Sequence, residues 1–301
     1  MSVPLSTLTS PPACIALPAT AADGAVAEVL LQMPAGEVRH VLYWLPALGV
    51  SARQYLPLAQ ALAQRGVAVA IHEWRGMGSS NRRAGRQQDW GYRELLQDDV
   101  PAGLASVRRH LPRASYAMGG HSLGGQLSSL YASLHPHEIA ALLIVASGSP
   151  YWRQFRYGRF IRLAFHAVPL MARLFGRFPG RRLGFGGNEA RGVMTDWARS
   201  GLTGRYAAQG MSEDFEQRLG ELDLPVLALR LCDDWLAPEA SLACLLAKMR
   251  LGQREQRVIT SADLDGKPAD HFSWMKTPAP IAWRVADWFD GVAKGAGDAG
   301  P

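Results

Sequence analysis

The sequence of 301 residues predicts an α/β fold, with a mostly parallel sheet of about eight strands, helices on both faces and an inserted cap. Three observations carry this prediction. Short apolar segments alternate with segments of helical periodicity, which is typical of successive strand–helix–strand units. The apolar segments are nearly continuous, as in parallel strands that are buried on both faces. The alternation stops over residues 151–212, which we name the cap segment, and then resumes, so we expect one domain over residues 1–301 with an insertion.

The first half of the chain begins with a predicted hairpin, whose strands are Cys14–Leu17 and Ala25–Met33. The elements that follow the hairpin are a strand at Val38–Leu45, a helix at Gln54–Gln64, a strand at Val67–His72, a helix at Gly91–Leu111, a strand at Ser115–Gly119, a helix at Leu123–Leu134 and a strand at Ile139–Ala146. Gly66 is expected to end the helix at Gln54–Gln64, as a C-terminal glycine does.

The second half starts with the cap segment, which is rich in Arg, Phe, Tyr and Gly. A helix is predicted around Phe160–Phe175, and Pro169 is expected to end or kink it. The tail at residues 293–301 is small and polar, and we expect it to lack structure. Beyond the cap segment the alternation gives a strand at Pro225–Leu231, a helix at Glu239–Met249, a strand at Gln256–Thr260 and a helix at Ile281–Phe289.

The composition is that of a soluble globular protein, with 48% apolar and 19% charged residues. No stretch reaches the roughly 18 uninterrupted apolar residues of a membrane span. The N-terminus lacks a basic start and is broken by prolines, unlike a signal peptide, at Pro4, Pro11, Pro12 and Pro18. Three scattered cysteines do not make a disulfide framework and indicate a reducing compartment: Cys14, Cys232 and Cys244. We therefore expect a cytoplasmic location.

The formal net charge of +6 is local. Residues 151–188 hold eight arginines, no lysine and no acid, and without these eight the chain has 24 basic and 26 acidic residues. A charge confined to one segment argues against a nucleic-acid-binding domain and for one special surface.

Ser122 is the candidate nucleophile, at the centre of the run Gly-His-Ser-Leu-Gly over residues 120–124. The run follows a short strand and opens a helix, which is the context of the nucleophile elbow in α/β-hydrolases. The flanking glycines have no Cβ to clash in this tight turn, and the helix N-terminus favours the negative charge that develops during attack. The sequence therefore predicts the α/β-hydrolase fold.

A serine hydroxyl needs a base, and in this fold the chain order is serine, acid, histidine. Asp233 and Asp234 follow the strand at Pro225–Leu231, and His271 follows the next strand. Both aspartates remain candidates, but in such hydrolases the acid usually stands four residues before a proline, which favours Asp234. His271 is the only one of the eight histidines that follows the acid. The predicted triad is Ser122, Asp234 and His271.

Two backbone N–H groups must hold the oxyanion that forms during acyl transfer. One should belong to Leu123, directly after the nucleophile, and the other to the loop at residues 46–50. That loop, together with Trp74 to Ser80, resembles monoacylglycerol lipase and lysophospholipase-like α/β-hydrolases, in which the loop usually reads His-Gly-x-Gly and x donates its N–H. The resemblance implies Leu48 in this role, with Ala47 as the alternative, because Pro46 and Ala47 replace His-Gly here.

Residues 25–290 also resemble a group of bacterial predicted α/β-hydrolases related to the serine aminopeptidase S33 type, whose substrates are not established. The shared runs are Ala-Leu-Gly-Val at residues 47–50, Asp-Asp-Trp-Leu-Ala-Pro at 233–238 and His271-Phe272. That group usually has glycine before the histidine, whereas this chain has Asp270. Asp270 could raise the pKa of the imidazole or point to solvent.

The arginines of the cap segment allow three interpretations. The helix could cover the active site with its apolar face and keep the arginines in water. One or two arginines could clamp an anionic acyl substrate. The segment could dock on an anionic membrane. In each case we expect an apolar lining, to which Trp197 and Trp235 could contribute.

The expected function is hydrolysis of a carboxylic ester or thioester of a mainly apolar, small-molecule acyl substrate through an acyl-enzyme, without a metal or cofactor. Two alternatives stay open: an acyltransferase with the same triad and a non-water acceptor, and a non-catalytic ligand-binding protein on the same fold. The sequence does not define the oligomeric state.

Overall fold

The computed structural model describes residues 14–297. The expectation that no signal peptide is present rests largely on prolines at residues 4–12, which lie outside the described range, as do residues 298–301 of the predicted tail. Residues 293–297 continue the last helix, so the expectation that they lack structure is wrong.

An eight-stranded sheet forms the centre of the molecule, which confirms the predicted sheet. The strands are β1 (Cys14–Thr20), β2 (Val26–Gln32), β3 (His40–Leu45), β4 (Ala68–His72), β5 (Ser115–His121), β6 (Ala141–Val145), β9 (Val226–Leu231) and β10 (Arg254–Ile259), and a separate pair joins β7 (Phe178–Pro179) to β8 (Asn188–Glu189). Within the sheet, β4, β3, β5, β6, β9 and β10 are neighbours in that order and run parallel. The hairpin of β1 and β2 is antiparallel and lies at the edge next to β4.

Helices cover both faces of the sheet, and each face has its own apolar core. On one face α1 (Leu56–Ala63) packs beside α10 (Ala279–Gly297), with Leu62 and Val285 buried. The other face carries α3 (Val100–His110), α4 (Leu123–Leu134), α8 (Phe215–Gly220) and α9 (Glu239–Leu246). Strand β6 is buried throughout, which explains its continuous apolar sequence.

The helix predicted at Gly91–Leu111 is interrupted. The structure has a short helix α2 (Tyr92–Glu94), a π-helical turn at Leu95–Asp99 and then α3. Pro101 lies in the first turn of α3 and has no N–H for the preceding turn, so a wider turn is accommodated there. The π-helical turn places Asp99 against the buried Arg75, which also pairs with Asp23. Arg75 thus anchors the turn after β4.

The cap segment forms three helices between β6 and β9: α5 (Gly158–Phe175), α6 (Gly180–Leu183) and α7 (Arg191–Thr203). Pro169 does not end α5, which continues for six more residues. The buried residues Val168 and Ala172 pack on both sides of Pro169, and this packing holds the helix despite the lost hydrogen bond.

The carboxyl ends of β3, β5, β6, β9 and β10 lie at the same edge of the sheet, because these strands are parallel. The loops that follow these strands carry the residues singled out by the sequence. None of the helices within residues 14–297 is long and apolar enough to span a bilayer.

Candidate active site

Ser122 lies in a sharp turn between β5 and α4. Its backbone has φ = 55° and ψ = −120°, a conformation that costs a non-glycine residue about 1–3 kcal/mol. A Cβ on Gly124 would lie 1.9 Å from the carbonyl oxygen of Leu45, and one on Gly120 would lie 2.3 Å from the carbonyl carbon of Gly124. Only glycine fits at these two positions, so the motif's glycines are required by the close approach of β3, β5 and α4.

Hydrogen bonds to the Ser122 backbone hold the turn. Its N–H donates to the carbonyl of Val145 at 3.1 Å, and its carbonyl accepts from the hydroxyl of Ser147 at 2.6 Å. Both partners come from β6 and the residues just after it. Sequence reasoning missed Ser147, whose only signal is its place after an apolar strand next to the nucleophile's strand.

Asp234 and His271 are in direct contact. Asp234 Oδ2 lies 2.7 Å from His271 Nδ1, and both side chains are buried. Because a carboxylate only accepts, Nδ1 carries the proton and donates. Asp234 Oδ1 accepts from the N–H groups of Leu236 and Ala237 at 2.9 and 3.0 Å, so the carboxylate is fixed and its charge is balanced by donors.

The two other candidate carboxylates lie elsewhere. Asp233 accepts from the N–H of Ala269 at 3.2 Å and from the hydroxyl of Ser261 at 3.3 Å, so it ties its own loop to the histidine loop. Asp270 accepts from the N–H and hydroxyl groups of Ser273 at 2.7 and 2.8 Å. Asp270 therefore caps the short helical turn after His271 and makes no contact with the imidazole.

His121 connects Ser122 to the histidine loop. It precedes Ser122 in the chain, and its ring centroid lies 4.7 Å from that of His271. Among the described residues no hydrogen bond joins Ser122 Oγ to His271, a separation that is common in hydrolases without substrate. The structure thus brings Asp234 and His271 together and places His121, the neighbour of the candidate nucleophile, against the His271 ring.

A buried tyrosine, Tyr55, contacts the imidazole of His121. Tyr55 Oη lies 2.8 Å from His121 Nδ1 and accepts from the N–H of Ala47 at 2.9 Å. Burial, reinforced by the charge of His271, lowers the pKa of His121 well below its usual value, so its imidazole is neutral. The rings of Phe272 and Trp274 pack edge-on against His121.

The loop at residues 46–50 lies beside the N-terminus of α4. Leu123 is the first residue of that helix, so its N–H has no partner within the helix. The N–H of Ala47 is used by Tyr55, whereas the N–H of Leu48 has no hydrogen-bond partner among the described residues. The indole of Trp74 donates to the carbonyl of Pro46 at 2.8 Å and holds the loop in place.

The cap segment touches this loop directly. A Cβ on Gly49 would lie 2.1 Å from the backbone nitrogen of Gly187, so the two backbones are in contact. The N–H of Gly187 donates to Glu189 Oε1 at 2.6 Å. Burial raises the pKa of Glu189 to about 6, although this hydrogen bond and the charge of Arg181 oppose the shift.

Apolar side chains of the cap segment surround Leu48. They form a small core of their own, with Leu48 and Trp197 packed against it, around Val168, Ala172, Phe178 and Met194. The ring of Trp197 packs edge-on against Phe165 and at a tilt against Phe185. Trp235, by contrast, is 71% exposed. Within residues 14–297 no three His, Cys, Asp or Glu side chains are grouped so as to hold a metal ion.

Part of the chain is similar in sequence to known proteins. Residues 36–184 match the family model described as serine aminopeptidase, S33. A putative non-heme haloperoxidase of Mycobacterium phage D29 is 30% identical over 130 residues, 42% of this chain and 44% of that protein. A non-heme haloperoxidase of Rhodococcus erythropolis is 26% identical over 208 residues, 60% of this chain and 70% of that protein. The chain thus aligns with less than half of the phage relative's length.

Solved structures resemble the chain over nearly its full length. A carboxyl esterase from Bacillus coagulans superposes with a TM-score of 0.68 at 13% identity, over 93% of this chain and 99% of that one. A monoacylglycerol lipase from Paleococcus ferrophilus superposes with a TM-score of 0.60 at 15% identity, over 88% and 100%. At such identities the likeness concerns the fold alone.

Proposed function

We propose that this chain, which has the α/β-hydrolase fold, is a serine hydrolase that cleaves a carboxylic ester or thioester of a mainly apolar acyl substrate. The observation that carries the proposal is the 2.7 Å contact between Asp234 and His271 next to the strained turn of Ser122. A buried Asp–His pair, with its carboxylate also held by two backbone N–H groups, beside an elbow serine is the arrangement that acyl transfer needs.

In the first step His271 Nε2 takes the proton of Ser122 Oγ, and Oγ attacks the acyl carbonyl carbon. The carbonyl oxygen becomes negative and is held by the N–H groups of Leu123 and Leu48. Asp234 stabilises the imidazolium that forms. The tetrahedral species then expels the alcohol or thiol, which takes the proton from His271, and the acyl group stays on Ser122.

In the second step water attacks the acyl-enzyme. His271 takes a proton from the water, the same N–H groups hold the oxyanion, and Ser122 Oγ leaves with the proton from His271. The free acid departs and the enzyme is restored. The strained turn holds the backbone of Ser122 at the carboxyl end of β5 through both steps.

The preference for an apolar acyl group rests on the side chains next to the site. Leu48 packs against the cap core, and Phe272 follows His271 with its ring 4.7 Å from the imidazole. Both positions adjoin the proposed oxyanion hole or base, so an acyl chain leaving the reaction centre would meet apolar surface.

An acyltransferase with the same triad is the second candidate, and the names of the two haloperoxidase relatives make hydrogen peroxide one acceptor to test. Attack of peroxide on the acyl-enzyme would release a peracid in place of the acid. Product analysis with water alone, with an alcohol and with peroxide separates these outcomes. We also propose a cytoplasmic location, from the sequence argument on the three cysteines.

The test is a panel of p-nitrophenyl esters of increasing chain length, together with labelling by a fluorophosphonate, on the wild type and Ser122→Ala. We expect wild type to hydrolyse the panel and to gain the mass of one label, and Ser122→Ala to do neither. Ser128→Ala is the matched control, because Ser128 is buried on the same helix and its hydroxyl has no hydrogen-bond partner among the described residues. Equal hydrolysis by Ser122→Ala and wild type would refute the assignment of Ser122 as the nucleophile. If the fluorophosphonate does not label the wild type, the non-catalytic alternative is favoured.

A further inference from the structure

Helix α5 exposes an apolar stripe to the solvent. Phe160, Leu163, Leu170 and Leu174 are each between 58% and 75% exposed. With Ala167 they are spaced by three, four, three and four residues, which places them along one line of the helix surface. Isolated exposed apolar residues are common, but a continuous stripe over four turns is not.

This stripe is separate from the face that joins α5 to the rest of the molecule. The inward face consists of Phe165, Val168 and Ala172, which are buried and pack near α7. These residues lie about half a turn away from Leu163, Leu170 and Leu174. The helix is thus apolar on two opposite sides, and residues 14–297 cover only one of them.

A basic edge runs beside the exposed stripe. Arg159, Arg162 and Arg173 lie on α5 at spacings of three and eleven residues, which keeps them on one side of the stripe. None of the eight arginines in residues 151–188 forms an ion pair with a carboxylate in the described part of the chain. Arg162 instead lies over the ring of Trp152. Arg159, Arg162 and Arg173 therefore have no ion-pair partner within residues 14–297.

An unpartnered apolar stripe with a basic edge matches the chemistry of an anionic lipid surface, where acyl chains meet negatively charged headgroups. A second copy of the chain fits less well. Pairing this face with itself would bring arginine edges together without a carboxylate from residues 151–188 to separate them. Charge complementarity therefore favours an anionic lipid surface over a second copy of the chain.

We propose that α5 docks the protein on anionic phospholipid membranes, lying in the interface with its stripe inserted and its arginines at the headgroups. The docked helix lies on the same part of the molecule as the candidate site, because the cap core under α5 packs against Leu48 of the loop at residues 46–50. A lipid substrate leaving the bilayer would therefore reach the site beside the docking face. Docking does not depend on catalysis, and it can be measured without it.

The experiment measures co-sedimentation of the Ser122→Ala protein with two kinds of vesicle. One contains phosphatidylcholine alone, and the other also contains the anionic lipid phosphatidylglycerol at ~30 mol%. We expect binding to the anionic vesicles at least ~10-fold stronger than to the neutral ones, and weaker at high salt. Replacing Phe160, Leu163, Leu170 and Leu174 together by Gln should reduce it at least ~10-fold. Arg159→Gln with Arg173→Gln should reduce it by about fivefold per charge.

Two controls remove the same kinds of side chain from other faces. Leu251→Gln takes an exposed leucine from a loop, and Arg109→Gln with Arg113→Gln takes two exposed charges from the last turn of α3 and the turn that follows it. Both control variants should bind vesicles within about twofold of the Ser122→Ala parent, since none of the three replaced side chains lies on α5. All variants are compared by circular dichroism, and the stripe and arginine variants are also made with Ser122 intact and tested on a short soluble ester.

The proposal is overturned if the parent protein binds neutral and anionic vesicles equally, or binds neither. It is also overturned if the stripe variant converts a dimer to a monomer in light scattering while vesicle binding is unchanged, which would assign the stripe to a second copy. If the wild type does not hydrolyse the ester, the proposed function is refuted but the vesicle-binding result is unaffected, so the two failures are distinguishable.

Discussion

Tyr55 Oη accepts a hydrogen bond from the backbone N–H of Ala47 at 2.9 Å, and the same oxygen lies 2.8 Å from His121 Nδ1. A donor that is already used in the buried interior is not free for a developing oxyanion. This contact argues for Leu48 over Ala47 as the second oxyanion donor. It also links the loop at residues 46–50 to the residue next to the nucleophile.

Tyr55→Phe should therefore affect both stability and catalysis. Removing the hydroxyl leaves the Ala47 N–H and His121 Nδ1 without a partner in a buried site, which should cost about 2 kcal/mol of unfolding free energy. The loop should also lose its fixed position relative to Leu123, so we expect a fall in kcat of about tenfold with little change in KM. Urea unfolding and steady-state kinetics on a soluble ester measure the two effects.

Tyr43→Phe is the matched control for this variant. Tyr43 is also buried, and its hydroxyl lies 2.9 Å from Nδ1 of the buried His72, away from the loop at residues 46–50. We expect a similar loss of stability and a smaller fall in kcat than for Tyr55→Phe, because Tyr43 reaches the loop only indirectly, through the contact of His72 with Trp74. If both variants lower kcat equally, the kinetic effect of Tyr55→Phe reflects general destabilisation and not the oxyanion loop.

Asp234→Asn should lower kcat by about 10³- to 10⁴-fold, since the amide would no longer hold His271 in the tautomer that accepts the serine proton. Asp233→Asn keeps the shape of the adjacent residue but lies on Ala269 and Ser261, so its kcat should fall less than about tenfold. Activity measurements on purified, folded variants decide between the two carboxylates. A larger loss for Asp233→Asn would reverse the assignment.

The order of the candidate triad could be predicted from the sequence because it depends on the order of strands, which apolar patterning reveals. Asp234 and His271 each follow a strand of the parallel sheet, and the carboxyl ends of those strands meet at one edge. The choice between Asp233 and Asp234 is different. Both share one loop, and only the path of the loop decides which carboxylate faces the imidazole.

The supporting contacts could not be predicted, because they join segments that are distant in sequence. Tyr55 meets His121 across 66 positions, and Ser147 reaches Ser122 across 25. Neither has a local pattern that differs from an ordinary core tyrosine or loop serine. The continuation of α5 past Pro169 also depends on tertiary packing, which outweighs the local preference of proline.

Glu189→Gln should remove a pH dependence of stability. The folded-state pKa of Glu189 is about 6, above its ordinary value near 4.5, because burial disfavours the charged form. The folded protein therefore binds more protons than the unfolded chain between these values, and stability falls as the pH rises through this window. Glutamine keeps an acceptor for the Gly187 N–H but carries no charge.

We expect Glu189→Gln to be more stable than wild type at pH 8 by about 1 kcal/mol, since the side chain keeps some access to water, and to show little gain at pH 4.5. Urea unfolding at five pH values between about 4.5 and 8 measures the difference. The exposed Glu37→Gln controls for the loss of a carboxylate. A gain that is the same at both ends of the range would show that the charge of Glu189 is not its source.

Gly49→Ala tests whether the contact between the loop at residues 46–50 and the cap segment matters for catalysis. Gly49 has φ = 75°, and a Cβ there would lie 2.1 Å from the nitrogen of Gly187. Gly66→Ala is the control, because Gly66 has φ = 83° and open space around it. Both variants pay the positive-φ cost of about 1–2 kcal/mol, but only Gly49→Ala must also move a backbone. We expect Gly66→Ala to keep its kcat and Gly49→Ala to lose at least ~10-fold, because displacing Gly49 moves the adjacent Leu48 N–H from the oxyanion. Equal kcat values for the two variants would mean that Leu48 keeps its position without the cap contact.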